Sequence, residues 1–185
     1  MPSPRNVEEL QERIRAGWQP EYALFLAPDP IKAGVLGPEC LSQWYAAPME
    51  LDGERFVTAE HYMMWYKARV FGDDDSMRQV QANEDPAVAK ALGRRVRNFK
   101  NEVWAQQRFE LVVRASLVKF QQNPRLYDYL MSTGDSVLAE ASPVDLIWGI
   151  GFDAEQLDAR NALTWKGQNL LGFALMRARD ELSRA

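Results

Sequence analysis

Helix start and stop signals follow one another from Thr58 to the end of the chain, and they constrain the fold more than any other feature. Thr58 is predicted to be the N-cap of a helix that ends at Gly72, and Asp85-Pro86 is typical of the first positions of the next one. Further helices are predicted over residues 101–122, 124–134 and 169–185. A chain with this series of signals is expected to fold mainly as packed helices.

Strand character is confined to a few short stretches. Residues 21–28, EYALFLAP, form an apolar run that ends at Pro28. Asp52-Gly53 separates two further short segments, and Asp-Gly is a strong signal for a β-hairpin. Residues 136–142 are another candidate strand. The predicted fold is therefore mainly α with a small β element, which places it in the α+β class.

The length of the chain and its hydropathy pattern favour one domain. A chain of 185 residues is long enough to bury a core, and 46% hydrophobic with 26% charged residues is typical of a globular protein. Residues 6–17 are predicted to form a peripheral amphipathic helix, so we assign 1–20 to that helix and 21–185 to the single domain. The N-terminus lacks the apolar stretch of a secretory signal, and no apolar run is long enough to span a membrane. We expect a cytoplasmic protein with no membrane partner.

Charge and metal-ligand content narrow the classes of function. Cys40 and His61 are the only residues of their types, so they do not supply the clustered ligands of a zinc site, and no metal or cofactor is predicted. They could pair as nucleophile and base, but no third orienting group is apparent. The acids at 73–75 could bind Mg²⁺, although an N-cap is the simpler interpretation. A net charge of −4 argues against a duplex DNA binder.

The helix that begins after Thr58 carries the first candidate site. Glu60 and Lys67 are seven residues apart, which is almost two helical turns, so they share a face about 10 Å apart. The helix dipole favours an ionised carboxylate in the first turn. Two groups at this separation could address opposite ends of one ligand, or they could be a helix-start acid and an exposed lysine. His61 is by itself more typical of a structural residue than of a catalyst.

A basic segment follows the next helix. Residues 93–104, GRRVRNFKNEVW, place Arg94, Arg95, Arg97 and Lys100 within seven positions. Several donors near helix ends could bind a phosphate or pyrophosphate. A solvated basic loop is an equally good interpretation of the same residues.

Two further segments combine glycines with polar residues. In residues 140–152, Glu140 and Asp145 precede Trp148, which lies beside glycines at 149 and 151, and this indicates either a pocket wall or a turn beside a core tryptophan. In residues 165–172, Asn169 could be a helix N-cap or a ligand contact near a helix start.

Seven blocks in one order resemble the NADAR family, which includes the YbiA-like N-glycosidases. The resemblance covers about residues 23–181, and its blocks are LSQWY (41–45), TAEHYMM (58–64) with KA (67–68), DPAVAKALGRRV (85–96), Trp104, KFQQN (119–123), EASPVDLIWGIG (140–151) and WKGQNLLGFALMRAR (165–179). One departure lies in residues 23–28, where many relatives carry a Trp-Gly-His-like stretch.

The resemblance implies a mostly helical YbiA-like fold and hydrolysis of a ribose C1′–N bond. The substrate that it implies is either a phosphorylated ribosylamino-pyrimidine of riboflavin synthesis or ADP-ribose attached to guanine. In the second case the guanine can belong to a nucleic acid. Glu60 matches the family's Glu-His pair and becomes the predicted catalytic carboxylate, with Asp145 in a supporting catalytic role. The predicted substrate contacts are Lys67, Trp104, Trp148, Gly149, Asn169, Trp44, His61, Arg94 and Arg95.

The predicted reaction passes through an oxocarbenium-like state at C1′, which a carboxylate stabilises while it directs water. Two other classes remain open at this point. A non-catalytic module that binds ADP-ribose or NAD would use the same aromatic and basic residues, whereas a helical interaction protein would bind no small molecule. The choice between the two substrates and the oligomeric state are also open.

Overall fold

A computed structural model of the chain describes residues 2–26 and 35–184. They form two compact units, a terminal unit of Met1–Ser42 with Arg125–Ala185, and a central unit of Gln43–Pro124. In chain order the helices are α1 Val7–Arg15, α2 Ala59–Val70, α3 Asp74–Gln81, α4 Pro86–Arg94, α5 Asn101–Gln122, α6 Pro124–Ser132 and α7 Leu170–Leu182. The strands are β1 Tyr22–Phe25, β2 Met49–Leu51, β3 Glu54–Phe56 and β4 Val137–Glu140, and short 3₁₀ helices cover Pro38–Leu41 and Leu157–Arg160. The prediction of a mainly α fold with a small β element is confirmed.

The hairpin of the central unit turns at Asp52-Gly53, as predicted. Strands β2 and β3 pair antiparallel with Met49 opposite Phe56. Both turn residues have positive φ, 56° at Asp52 and 79° at Gly53, which is the geometry of a two-residue hairpin turn. The Asp52 carboxylate accepts hydrogen bonds from the Tyr62 hydroxyl at 3.0 Å and from the Arg114 guanidinium at 2.6 Å. The turn is thereby fixed to α2 and α5.

Helix α2 begins and ends at the predicted residues. The Thr58 hydroxyl accepts the His61 backbone N–H, which is the N-cap bond. Gly72 follows the helix with a φ of 67°. Most of α2 is buried, and its Met64 lies against Gly93 of α4, where an added Cβ would come within 1.9 Å of the Met64 sulfur. A larger residue at 93 would displace the Met64 side chain, so glycine favours the close approach of these helices.

Asp73 joins the start of α3 to the segment after α4. Its carboxylate caps α3 at Ser76 and accepts hydrogen bonds from the backbone and side chain of Arg97. The backbone N–H and guanidinium of Arg97 hold the pKa of the Asp73 carboxyl well below its usual range, and Ser76 adds to this effect. The N-cap interpretation of the 73–75 acids is confirmed for Asp73.

The terminal unit is built on a parallel pair of strands. Strand β1 pairs with β4 in parallel, with Tyr22 opposite Val137 and Phe25 opposite Glu140. Helix α7 packs on β4 so closely that a Cβ at Gly172 would meet the Leu138 carbonyl oxygen at 2.0 Å. The end predicted for β1, Pro28, lies outside the described residues, as does Ala27 of the atypical 23–28 segment.

The N-terminal helix is attached to the terminal unit. Leu10 of α1 is fully buried, and the Gln11 side chain donates to the Ala162 carbonyl oxygen at 2.8 Å. The helix follows the predicted pattern with Asn6 as N-cap. The boundary at residue 20 between a peripheral helix and a domain stays a prediction. In the ranges 2–26 and 35–184, none of the helices has the length and hydropathy needed to cross a membrane.

Candidate active site

Glu60 lies in the first turn of α2 and is only 3% exposed. Its backbone N–H donates to the carbonyl oxygen of Gln43 at 3.0 Å, which joins the LSQWY segment to the start of the helix. The first turn of a helix carries the positive end of the helix dipole, so an ionised carboxylate is favoured there. The burial and helix position of Glu60 suit a carboxylate that acts on a developing positive charge.

His61 is hydrogen-bonded to Thr58, the N-cap residue of α2. Its Nδ1 shares a 2.7 Å hydrogen bond with the Thr58 hydroxyl, and the residue is 1% exposed. Burial lowers the pKa of His61, while the backbone of Asn83 and the charges of Asp85 and Glu84 act in the opposite direction. A histidine with a lowered pKa is neutral at pH 7. Its predicted contact with substrate stays a prediction, and the observed bond supports the structural interpretation.

Lys67 lies among aromatic rings on the central unit. Its ammonium donates to the Gly93 carbonyl oxygen at 2.7 Å and lies 4.2 Å from the centroid of the Phe99 ring and 5.8 Å from that of Trp104. Burial lowers the pKa of Lys67, whereas the negative charge of Glu60 raises it. The interpretation of Lys67 as an exposed lysine is therefore wrong, because it is half-buried and held by a carbonyl oxygen and two rings.

The remaining aromatic candidates of the central unit differ in exposure. Trp104, near the start of α5, is 7% exposed, whereas Trp44 is half-buried. The Lys90 ammonium lies 5.6 Å from the centroid of the Trp44 ring. Trp44 therefore presents part of its ring together with a cation.

The basic segment after α4 divides into two kinds of arginine. Arg94 and Arg95 are exposed, so both can meet an anion from solvent. Arg97 instead forms ion pairs with Asp73 at 2.6 Å and with Asp75 at 2.9 Å. Its inclusion in a phosphate-binding group is not supported, because its guanidinium is committed to these carboxylates.

In the terminal unit, Asp145 organises the loop that follows β4. Its backbone N–H donates to the Ser142 hydroxyl at 3.1 Å, and its carboxylate accepts the backbone N–H groups of Ile147 at 3.0 Å and Trp148 at 2.9 Å. Trp148 is half-buried. The carboxylate therefore holds a tight turn, and one of its oxygens supplies that function. The predicted catalytic role of Asp145 stays a prediction.

Gly149 and Asn169 lie where this loop meets the start of α7. The Asn169 backbone N–H donates to the Gly149 carbonyl oxygen at 3.0 Å. The Asn169 side chain, fully buried, accepts the Glu140 N–H at 3.1 Å and donates to the Leu138 carbonyl oxygen at 2.9 Å. Asn169 is the N-cap residue, but its side chain makes no cap hydrogen bond and instead fixes α7 to β4. This arrangement supports a positioning role; substrate contact for either residue stays a prediction.

The predicted site residues thus fall into two sets. Glu60, His61, Lys67, Trp44, Trp104, Arg94 and Arg95 belong to the central unit, and Asp145, Trp148, Gly149 and Asn169 belong to the terminal unit.

Sequence reasoning missed Phe99, whose ring lies against the Lys67 ammonium, and Gln43, whose carbonyl oxygen accepts the Glu60 backbone N–H. Both stand inside segments that were singled out, but no local pattern marks either residue. Within residues 2–26 and 35–184, no group of three or more His, Cys, Asp or Glu side chains is placed to hold a metal ion.

Comparison with known proteins gives one family. The NADAR domain model matches residues 35–183. N-glycosidase R617 of Acanthamoeba polyphaga mimivirus is 40% identical over 166 residues, which cover 87% of this chain and 96% of that protein. A riboflavin biosynthesis protein of Vibrio vulnificus is 32% identical over 142 residues, 77% of this chain and only 35% of that protein.

The N-glycosidase YbiA of Escherichia coli supplies both a sequence and a structural match. It is 28% identical over 142 residues, covering 77% of this chain and 80% of that protein. Its NMR structure matches with a TM-score of 0.70 at 24% identity and covers 100% of this chain and 94% of that chain. The predicted YbiA-like fold is therefore confirmed, and because relatives are named N-glycosidases, so is the predicted class of a hydrolase acting on N-glycosyl bonds. The chain belongs to the NADAR family.

Proposed function

We propose that this protein hydrolyses the C1′–N bond between ribose and a nitrogenous base in a phosphorylated riboside. The buried carboxylate of Glu60 carries the proposal, because it lies in the first turn of α2 and its charge acts on Lys67 of the same helix. A carboxylate in this setting can stabilise the positive charge that develops at C1′ and orient a water molecule.

The reaction needs one water molecule and no further reactant. Water adds its hydroxyl oxygen to C1′, the C1′–N bond breaks, and the base leaves with its bonding electrons and gains a proton at nitrogen. Glu60 accepts the proton of the attacking water in this scheme. Lys67 addresses the sugar or phosphate end, and Trp104 and Trp44 contact the base or exclude water from it.

A phosphorylated ribosylamino-pyrimidine is the first candidate substrate. Its support is the relative named as a riboflavin biosynthesis protein. An acidic protein of net charge −4 also suits a small anionic metabolite bound by local donors better than it suits a long polyanion. Asp145 and Trp148 remain proposed contributors to the reaction, as the sequence resemblance implies.

ADP-ribose attached to guanine is the second candidate. Exposed Arg94 and Arg95 favour it, because a diphosphate offers two anionic groups to the guanidinium donors of this basic segment. A phosphorylated riboside with a single phosphate would use fewer of these donors.

Mass spectrometry of the products distinguishes the proposals. The protein is incubated separately with a phosphorylated ribosylamino-pyrimidine and with an oligonucleotide that carries ADP-ribosylated guanine. Release of free pyrimidine and ribose phosphate supports the first substrate, whereas release of ADP-ribose supports the second. Binding of either compound without release of base would identify a non-catalytic module, and the absence of any thermal shift with ADP-ribose and with the pyrimidine riboside would favour an interaction protein.

A further inference from the structure

Gln43 is joined to the proposed catalytic residue through the main chain. Its carbonyl oxygen accepts the backbone N–H of Glu60 at 3.0 Å. The residue is 8% exposed and, like α2, belongs to the central unit. Its neighbour in the chain, Trp44, is half-buried beside Lys90.

The side chain of Gln43 has an unusual feature for a buried amide. Its Oε1 is shielded from solvent and has no hydrogen-bond partner among the described residues. A buried polar atom without a partner destabilises a protein, and most such atoms in folded proteins are paired. The cost is accounted for if a ligand supplies the missing partner.

The central unit has other buried side-chain atoms without a partner in the described part of the chain, which include His61 Nε2, Trp65 Nε1 and Arg108 Nε, and one more of them provides a comparison. The Ser116 hydroxyl on α5 is also buried and without a partner, at 1% exposure. Ser116 makes no contact with Glu60 through the main chain, whereas Gln43 is bonded to it directly. Gln43 is thus a buried polar side chain with an unpaired atom, and its main chain is bonded to the start of α2.

We infer that Gln43 is a specificity-determining residue whose amide accepts a hydrogen bond from a neutral donor of the substrate. The inference rests on the proposed function, because Glu60 is what places the reacting sugar at this end of α2. The riboside offers two sources of such a donor, a ribose hydroxyl and an amino group of the base. No hydrogen bond holds Oε1 in place, so rotation of the terminal amide can present it to either group.

The test uses the full-length protein with Gln43→Met, which keeps the length of the side chain and removes its polar atoms. Ser116→Ala is the matched control, because it also removes a buried unpaired polar atom. Both variants should keep or raise the melting temperature, since each removes an unpaired buried group. Gln43→Met should lower kcat/KM about tenfold, as expected for one lost hydrogen bond, and Ser116→Ala should leave it unchanged.

Substrate analogues identify the donor. The ribosylamino-pyrimidine phosphate is compared with its 2′-deoxyribose and 3′-deoxyribose analogues and with an analogue that has hydrogen in place of a base amino group. The analogue that lacks the true donor should react equally with wild type and Gln43→Met, because the interaction is already absent. If Gln43→Met matches wild type on the complete substrate, or loses the same factor on every analogue, the inference is wrong. Gln43→Leu replaces Gln43→Met in the event that the latter does not fold.

Binding measurements separate this inference from the proposed function. Calorimetric titration of the same compounds into Glu60→Gln, with and without Gln43→Met, reports the hydrogen bond without any turnover. A wild-type protein that binds the riboside but releases no base contradicts the proposed function, yet a tenfold loss of affinity from Gln43→Met would still support the role of Gln43. Equal affinities with and without the substitution would overturn it.

Discussion

The ammonium of Lys67 donates to the carbonyl oxygen of Gly93 at 2.7 Å, which joins α2 to α4 through a polar contact. Lys67 attracts an anionic ligand only while its ammonium group is charged. Burial opposes the charge by lowering the pKa of Lys67, and Glu60 supports it. Because these effects oppose each other, the charge of Lys67 should respond to pH and to substitution of its neighbours.

Lys67→Met should fold and should weaken substrate binding. Folded wild type binds fewer protons than the unfolded chain between the lowered pKa of Lys67 and its ordinary value of 10.5. Wild-type stability should therefore rise relative to the variant as pH increases through this window. Chemical denaturation of both proteins across that range measures the difference. A difference that falls as pH rises would contradict the shift; the exposed Lys100→Met is the control for loss of a positive charge.

Glu60→Gln should retain the fold and lose at least about a hundredfold in kcat, because it removes the proton acceptor and the negative charge at C1′. Glu102→Gln is the matched control, since Glu102 also lies in the first turn of a helix but is exposed. Steady-state kinetics and circular dichroism of the two variants give the comparison. A Glu60→Gln enzyme with wild-type turnover would remove Glu60 from the mechanism.

Arg95→Ala should raise KM for phosphorylated substrates about tenfold with little change in kcat, because an exposed guanidinium that binds phosphate contributes to binding in both the ground and the transition state. Arg55→Ala, which removes an exposed arginine from β3, is the control. The effect should shrink at high salt. An unchanged KM for Arg95→Ala would show that the segment is a solvated loop.

Asp73→Asn should lower stability at neutral pH without affecting substrate binding. Asparagine still caps a helix, so the substitution isolates the charge that Arg97 contacts. We expect the melting temperature of the variant to be about 2–4 °C lower than that of wild type, which corresponds to a small loss in the free energy of unfolding for a protein of this size. Because folding lowers the pKa of Asp73, its stabilisation is present above the ordinary value of 3.8 and is lost as pH falls below it.

Thermal unfolding of wild type and Asp73→Asn should therefore converge towards low pH. Asp74→Asn, at an exposed neighbouring position, serves as the control. Curves that stay separated by the same amount at every pH would rule out the carboxylate as the source of the difference.

Asn169→Ala should cost about 2–4 kcal/mol, since it removes two buried hydrogen bonds to β4 and places alanine at a φ of 49°. Asn169→Gly tolerates that backbone conformation, so the difference between the two variants gives the backbone contribution. Urea unfolding measures both. A free energy of unfolding for Asn169→Gly near that of wild type would contradict the stabilising role of the two side-chain hydrogen bonds.

Local signals explain the parts of the fold that sequence predicts well. Thr58, Asp85-Pro86 and Asp52-Gly53 act on their immediate neighbours, and each stands in the structure as predicted. The buried stripe of α5 identifies that helix even though Lys100, its N-cap residue, makes no side-chain cap bond.

The contacts of the candidate site depend on residues far apart in the chain. Lys67 meets Gly93, and the Asn169 side chain binds Leu138 rather than its own helix. No periodicity or spacing in one sequence reports such pairs. Arg97 illustrates the same limit, because its clustering with Arg94 and Arg95 indicated phosphate binding, whereas its partners Asp73 and Asp75 lie more than twenty positions away.

The parallel pairing of β1 with β4 has a consequence for synthesis of the protein. Tyr22 cannot pair with Val137 until Val137 has been synthesised, so β1 of the nascent chain stays unpaired until that residue has left the ribosome. The central unit is one continuous segment and has no such delay. Because contacts between distant positions slow folding, the terminal unit should set the rate at which newly made chains mature and should be the part most exposed to chaperones.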